Sequence, residues 1–334
     1  MISMAAAAAR APSRRANDRW HDGQTWTNDL ICLSERYDFT NRTMRLPKAN
    51  DHKIRAALVD LSGTIHVSTT PVPGAIEACR RLQNLKVPVK FLTNTSKTSS
   101  SALLRLLRDM GFGMECIPDA NSIMTSTTAA RRLLLKHNLR PMCLVEEILL
   151  EDLNGVDTSE TDPNCVLVGL APSAFKYDRL NEAFRLLMKI KDKEEGQAFP
   201  ADQGRAVSPL IAIHRGKYLR DGDGELSLGP GGFVKCLEEA SGISAITVGK
   251  PNASFFHSAI ADWVKEGISP DEILMVGDDV EQDVNGAISA GIGMGVLVKT
   301  GKYRDGDEDK LLDNGFVCND IAEVASFIER SMDS

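Results

Sequence analysis

The chain has 334 residues, room for one large domain or two ordinary ones, and its 43% hydrophobic and 25% charged residues are the balance of a globular protein with a full core. A formal net charge of −7 argues against general nucleic-acid binding, which relies on a basic surface to displace counterions. No apolar stretch approaches the roughly 20 residues of a membrane span, and seven scattered cysteines without a CxxC pair predict reduced thiols in an intracellular, cytoplasmic setting.

Residues 1–17 are rich in Ala and Arg and contain no acid, a composition shared by organelle transit peptides and disordered extensions. The stretch that follows has acids, Trp and Asn but no period, so residues 1–52 are expected to be a disordered N-terminal extension. From residue 54 strand and helix alternate. Strands are expected at Ile54–Asp60, Val87–Leu92, Ala245–Gly249, Glu272–Gly277 and Gly293–Lys299, with amphipathic helices at Ala75–Leu85, Ser100–Met110 and Ala253–Lys265. Gly74, Gly111 and Gly291 fall at helix boundaries. This alternation implies right-handed βαβ units and a doubly wound, Rossmann-like parallel sheet in an α/β core. Between its halves lie short strands at Met142–Val145, Cys165–Leu170 and Leu210–His214, a helix at Arg179–Ile190 and a polar surface loop over Lys191–Ser208. The expected organisation is a core of residues 53–138 and 245–334, interrupted by an α/β cap at 139–244.

The chemistry collects at strand ends. Asp60 closes the apolar run Ala56–Val59, and Asp278 and Asp279 close a second such run. Apolar runs that stop at an acid read as buried parallel strands, whose carboxyl ends form the ligand edge of an α/β sheet. An acid cluster there needs a cation, and hard oxygen ligands favour Mg2+. Alone, each feature also has a structural reading. Asp60 serves equally as a turn cap, Thr93 and Asn94 as N-cap residues, Lys250 as a solvated lysine, and Asp278, Asp279 and Asp283 as acids favoured by a helix N-terminus. Gly63, just after Asp60, permits a sharp turn and close backbone approach to an oxyanion.

Taken in order, LVDLSGT, FLTNTSK, VGKP and MVGDD form a series that resembles the four-motif signature of the haloacid dehalogenase superfamily. The resemblance covers about residues 54–330, and the position of the insert is similar to that superfamily's larger α/β cap. It implies a Mg2+-dependent phosphatase of small phosphorylated compounds. Asp60 would be nucleophile and metal ligand, the Ser62 carbonyl and Asp278 further ligands, and Thr93, Asn94 and Lys250 binders of the phosphoryl group. Asp279 and Asp283 would support them. Caps of this type often pair, so a homodimer through the cap is a further implication.

One position departs from the pattern. Most phosphatases of the superfamily carry a second Asp where this chain has Ser62, and general acid–base help of that kind is worth about 10²–10⁴-fold. A serine hydroxyl substitutes poorly, which favours good leaving groups such as those of pyrophosphate or P–N compounds. A catalytically weak phosphate-binding or scaffold protein is the rival reading. His66 is placed to stand in for the missing acid or is a loop histidine without chemical duty. In the cap, His214, Arg215, Lys217 and the loop Gly229–Gly232 either face substrate or end a solvated strand.

Overall fold

The computed structural model describes residues 53–194, 205–220 and 225–332, together with short strands at Tyr37–Asp38, Thr43–Met44 and Ala201–Asp202. Apart from the first two of these strands, the expected N-terminal extension, residues 1–52, lies outside the described residues, as do residues 195–200 and 203–204 of the expected loop at Lys191–Ser208.

Strands β1 (Ala56–Asp60), β2 (Val89–Thr93) and β3 (Ile123–Thr125) precede the inserted segment. Within it lie β4 (Pro141–Leu144), β5 (Cys165–Val168), β6 (Leu210–Ala212) and β7 (Ile246–Thr247). Strands β8 (Ile273–Gly277), β9 (Met294–Val298) and β10 (Gly315–Cys318) follow. The larger sheet runs β10-β9-β8-β1-β2-β3 and is parallel throughout. Every residue of β1 is buried, because both faces are covered. Ala57 and Val59 join one apolar cluster with α1 (Ala75–Asn84) and the C-terminal helix (Ile321–Met332). Ala56 and Leu58 join another with α3 (Ser126–Lys136) and α6 (Ala253–Lys265). Ser99 caps α2 (Ser100–Asp109) by accepting from Ala102 N–H.

The second sheet, β7-β6-β5-β4, is also parallel. Met142, Leu144, Val166 and Val168 pack with α4 (Tyr177–Glu194) and α5 (Gly231–Ser241) in a cluster of their own. Leu167, Ile211 and Ile213 pack instead with residues of the larger sheet's second cluster.

The strand expected at Ala245–Gly249 is shorter than its apolar run and does not belong to the larger sheet. Ile246 and Thr247 pair with Ile211 and Ala212 at the edge of the inserted sheet. Val248 N–H then donates to Ala212 O and Gly249 N–H to Ile213 O, each at 3.0 Å. A short apolar run has the same composition whichever sheet it completes, so the pattern alone gave no partner.

Candidate active site

Register brings the motifs to one edge. Asp60 pairs with Leu92, and Val59 with Val276, so Thr93 and Asp278 each lie just beyond the level of Asp60. Asp60, Thr93, Lys250, Asp278 and Asp283 are all buried. One oxygen of each of Asp60, Asp278 and Asp283 lies within 4.8 Å of the other two. Lys250 reaches into this cluster, its Nζ against Asp60 Oδ1 and 2.6 Å from Asp283 Oδ1. Thr64 Oγ1 donates to Asp60 Oδ2 at 3.3 Å.

Asp278 is held by the backbone. Its Oδ2 accepts from Lys302 N–H at 2.6 Å, while its Oδ1 is buried without a hydrogen-bond partner. Such close approach requires glycine on two sides. Gly63 has φ +97°, and a Cβ there would fall 1.9 Å from Asp278 Oδ2; one on Gly301, at φ +59°, would fall 2.1 Å from the same atom. The turn after β1 is closed by Gly63 N–H donating to His66 O at 2.7 Å and by Thr300 Oγ1 donating to Gly63 O at 2.5 Å.

The cluster is electrostatically incomplete. Burial, then the charges of Asp60 and Asp283, push the Asp278 carboxyl up to about 8. Burial also raises Asp283, to about 6, although Lys250 opposes the rise. Burial pulls Lys250 down, but Asp283 and Asp60 outweigh it and hold the ammonium above the ordinary lysine range. Three carboxylates face the Lys250 ammonium, and of their buried oxygens Asp278 Oδ1 has no hydrogen-bond partner while Asp283 Oδ1 has only its ion pair with Lys250. This hard, all-oxygen set fits a small divalent cation.

The remaining expected residues occupy different places. The Ser62 side chain is exposed. Thr93 Oγ1 accepts from Thr95 N–H at 3.1 Å, which leaves its hydroxyl proton to donate at the edge. Asn94 was expected to bind the phosphoryl group, yet its side chain is turned to the backbone of Lys250. Its Oδ1 accepts from Lys250 N–H at 2.9 Å, and its Nδ2 donates to Lys250 O and to Gln282 Oε1, each at 3.0 Å. Asp279 points away from the acid cluster and caps the helical turn Val280–Asn285, accepting from Glu281 and Gln282 N–H. That turn carries Asp283 back to Lys250.

His66 is buried, its Nδ1 2.8 Å from Ser68 O and its Nε2 without a partner. Burial lowers its pKa, with Ser68 and Asp60 opposing. His214 Nε2 meets Ser96 Oγ at 2.8 Å, on the loop that leaves β2. Arg215 is engaged within the insert, on Glu238, Thr247 and Ala245 O, and Lys217 is exposed. In the loop Gly229–Gly232, Gly229 and Gly231 pack against the backbone of Arg215–Lys217, Gly231 N–H donating to Gly216 O at 3.0 Å, while Gly232 faces open space. Thr64, Gln282 and Lys302 went unnoticed in the sequence. Thr64 alone had a local signal, lying four residues after Asp60 inside the first motif.

Comparison with known proteins points the same way. Residues 57–159 match a family model described as haloacid dehalogenase-like hydrolase, and residues 247–324 match a second, HAD-hydrolase-like model. The chain is 45% identical over 263 residues, 79% of its length and 91% of the relative's, to haloacid dehalogenase-like hydrolase domain-containing protein 2 of Bos taurus. It is 34% identical over 287 residues, 84% of its length and 96% of the relative's, to phospholysine phosphohistidine inorganic pyrophosphate phosphatase of Xenopus laevis. Among solved structures, a 4-nitrophenylphosphatase from Thermotoga maritima superposes with a TM-score of 0.69 at 24% identity, covering 85% of this chain and all of that one. A glycerol phosphate phosphatase from Mycobacterium tuberculosis, solved in complex with magnesium, superposes with a TM-score of 0.64 at 23% identity over 82% of this chain and 77% of that one.

Proposed function

Because the chain belongs to the haloacid dehalogenase-like hydrolase family, we propose that it is a magnesium-dependent phosphatase acting through an aspartyl-phosphate on Asp60. The observation that carries this reading is the setting of Asp60, a strand-end carboxylate held between Lys250 and Thr64 and grouped with Asp278 and Asp283. A carboxylate fixed in this way is a positioned nucleophile.

In the first step an Asp60 oxygen bonds to phosphorus as the bond to the leaving group breaks, and the leaving group departs with that electron pair. In the second, water bonds to the same phosphorus, the P–O bond to Asp60 breaks, the carboxylate is regenerated and phosphate is released. Lys250 faces the oxygens on which charge gathers, and the Thr93 hydroxyl donates to the same group. Asp60, the Ser62 carbonyl and Asp278 would hold magnesium, which when bound supplies positive charge to the phosphoryl oxygens. Asp283 keeps Lys250 charged.

The substrate is a small phosphorylated compound, with pyrophosphate and P–N phosphoramidates favoured. Ser62 offers no carboxyl proton to an alkoxide, whereas these leaving groups need less help. The curated pyrophosphate phosphatase relative supports that ranking. The hairpin Tyr218–Arg220 with Leu226–Leu228 supports pairing of two chains through the cap, since Tyr218 and Leu228 are cross-strand partners and both are exposed.

The test is phosphate release from pyrophosphate, a phosphoramidate, an aryl phosphate and alkyl phosphates, in magnesium and in EDTA, with Asp60→Asn as control. Turnover that needs magnesium and vanishes in the control supports the reading. Folded protein inert on the whole panel would turn it toward a phosphate-binding scaffold.

A further inference from the structure

We infer that Asn94 and Gln282 are a positioning pair that sets Lys250 for phosphoryl transfer, an inference that rests on the phosphatase reading above. Asn94 holds Lys250 at two points of one residue, accepting from its N–H at 2.9 Å and donating to its carbonyl at 3.0 Å. The peptide planes on both sides of the Lys250 Cα are therefore fixed. The stem of the side chain starts from one place, and Nζ arrives between Asp60 and Asp283. Gly249 makes the clasp possible, since a Cβ there would fall 2.4 Å from Asn94 Oδ1.

Gln282 decides which way the Asn94 amide faces. Its Nε2 donates to Asp279 Oδ2 at 2.9 Å, an oxygen that also accepts from Lys302 Nζ at 3.2 Å. A carboxylate accepts only, so Gln282 must present its Oε1 to Asn94, and Asn94 must answer with its NH2 group. That orientation is the one that satisfies both backbone groups of Lys250. The chain Lys302–Asp279–Gln282–Asn94–Lys250 thus runs from an exposed ion pair to a buried ammonium and joins the last three motifs. Misplacement of a charged group by about 1 Å is enough to cost about 10²-fold in rate.

The test uses the full chain and four variants: Asn94→Ala, Gln282→Ala, Lys250→Met and Asn94→Ala with Lys250→Met. Orthovanadate, a five-coordinate analogue of the transferring phosphoryl group, is titrated calorimetrically in magnesium, beside magnesium affinity, aryl phosphate kinetics and melting temperature. Asn94→Ala is expected to weaken vanadate about 10²-fold and lower kcat by a similar factor, with KM and magnesium affinity changed less than about twofold. Gln282→Ala is expected to do the same about threefold to tenfold, and it carries the test if Asn94→Ala does not fold. In the Lys250→Met background neither loss should recur, since nothing is left to position.

Losses that persist in Lys250→Met would mean that Asn94 touches the phosphoryl group itself, and would overturn the inference. So would unchanged kcat and vanadate affinity in both single variants. A wild-type protein that neither turns over nor binds vanadate would overturn the phosphatase reading, and this inference with it.

Discussion

Replacing Asp278 by Asn should stabilise the metal-free protein while abolishing its response to magnesium. The wild-type carboxyl is pushed up to about 8 from an ordinary value of 3.8, by burial first and then by Asp60 and Asp283. An acid with a raised folded pKa keeps a proton that the unfolded chain has already released. Stability is therefore lost as pH rises from the ordinary carboxylate range through about 8, at up to about 1.4 kcal/mol per pH unit. Across that whole range the loss approaches about 5 kcal/mol, and relaxation and water entry in a real site reduce it to about 2–3 kcal/mol. Asn still accepts from Lys302 N–H and sets an NH2 group where the unpartnered Oδ1 stood, facing the other two carboxylates. In EDTA the two proteins should melt together near pH 4. By pH 8 the variant should be higher by about 4–6 °C, at about 2 °C per kcal/mol for a chain of this size. Saturating magnesium should reverse the order at pH 8, because only the wild type retains the ligand. Scanning fluorimetry from pH 4 to 8, with and without magnesium, reads both effects. A wild-type-minus-variant difference that does not change with pH in EDTA would refute the electrostatic account.

Three further outcomes are expected. Gly63→Ala puts a methyl group within 1.9 Å of Asp278 Oδ2 at a positive φ, so it should lower phosphatase activity at least about 10²-fold and weaken magnesium measurably in calorimetry. Its left-handed backbone adds a stability loss of about 1–2 kcal/mol. His214 is lowered to about 4 by burial, with Lys302 adding to the effect, so its contribution is complete above pH 6.5 and is lost as pH falls through about 4. Against His214→Gln, the wild type should lose about 1–3 kcal/mol more over that interval in denaturant melts. Finally, on the proposed aspartyl-phosphate route Ser62 would leave the second step without a carboxylate base at that position. Rapid mixing with an aryl phosphate should then show a burst of phenolate equal to the enzyme concentration, and a linear start would mean that the first step is slower.

The strand ends were legible because burial demands apolar residues along β1 and β8, so an acid at the last position stands out against its own element. Asp60 and Asp278 stood out for that reason, and Lys250 by its place beside Pro251 after an apolar run. What stayed hidden depends on distant partners. Asn94 and Lys250 are 156 positions apart in the chain, and no local pattern distinguishes an amide that faces phosphate from one that clasps a backbone. Lys302 contributes its peptide N–H, a group every non-proline residue carries. The edge strands β3 and β10, three and four residues long, are too short for a period to emerge. Ile246–Thr247 shows the same limit one level up, since its apolar character was plain and its sheet was not.

That two-residue strand also bears on modularity. Only Val248 and Gly249 separate Thr247 from Lys250, and both are zipped to the end of β6 and the residue after it. The second crossing between the sheets is therefore a splint and not a free linker. An excision or exchange of the inserted segment that removed Leu210–Ile213 would withdraw the rail along which the chain delivers its buried ammonium. A transplanted cap must bring a parallel edge of its own, whatever it recognises. Diversification of this chain is accordingly expected to be easiest at the far end of the insert, away from the edge that leads to Lys250.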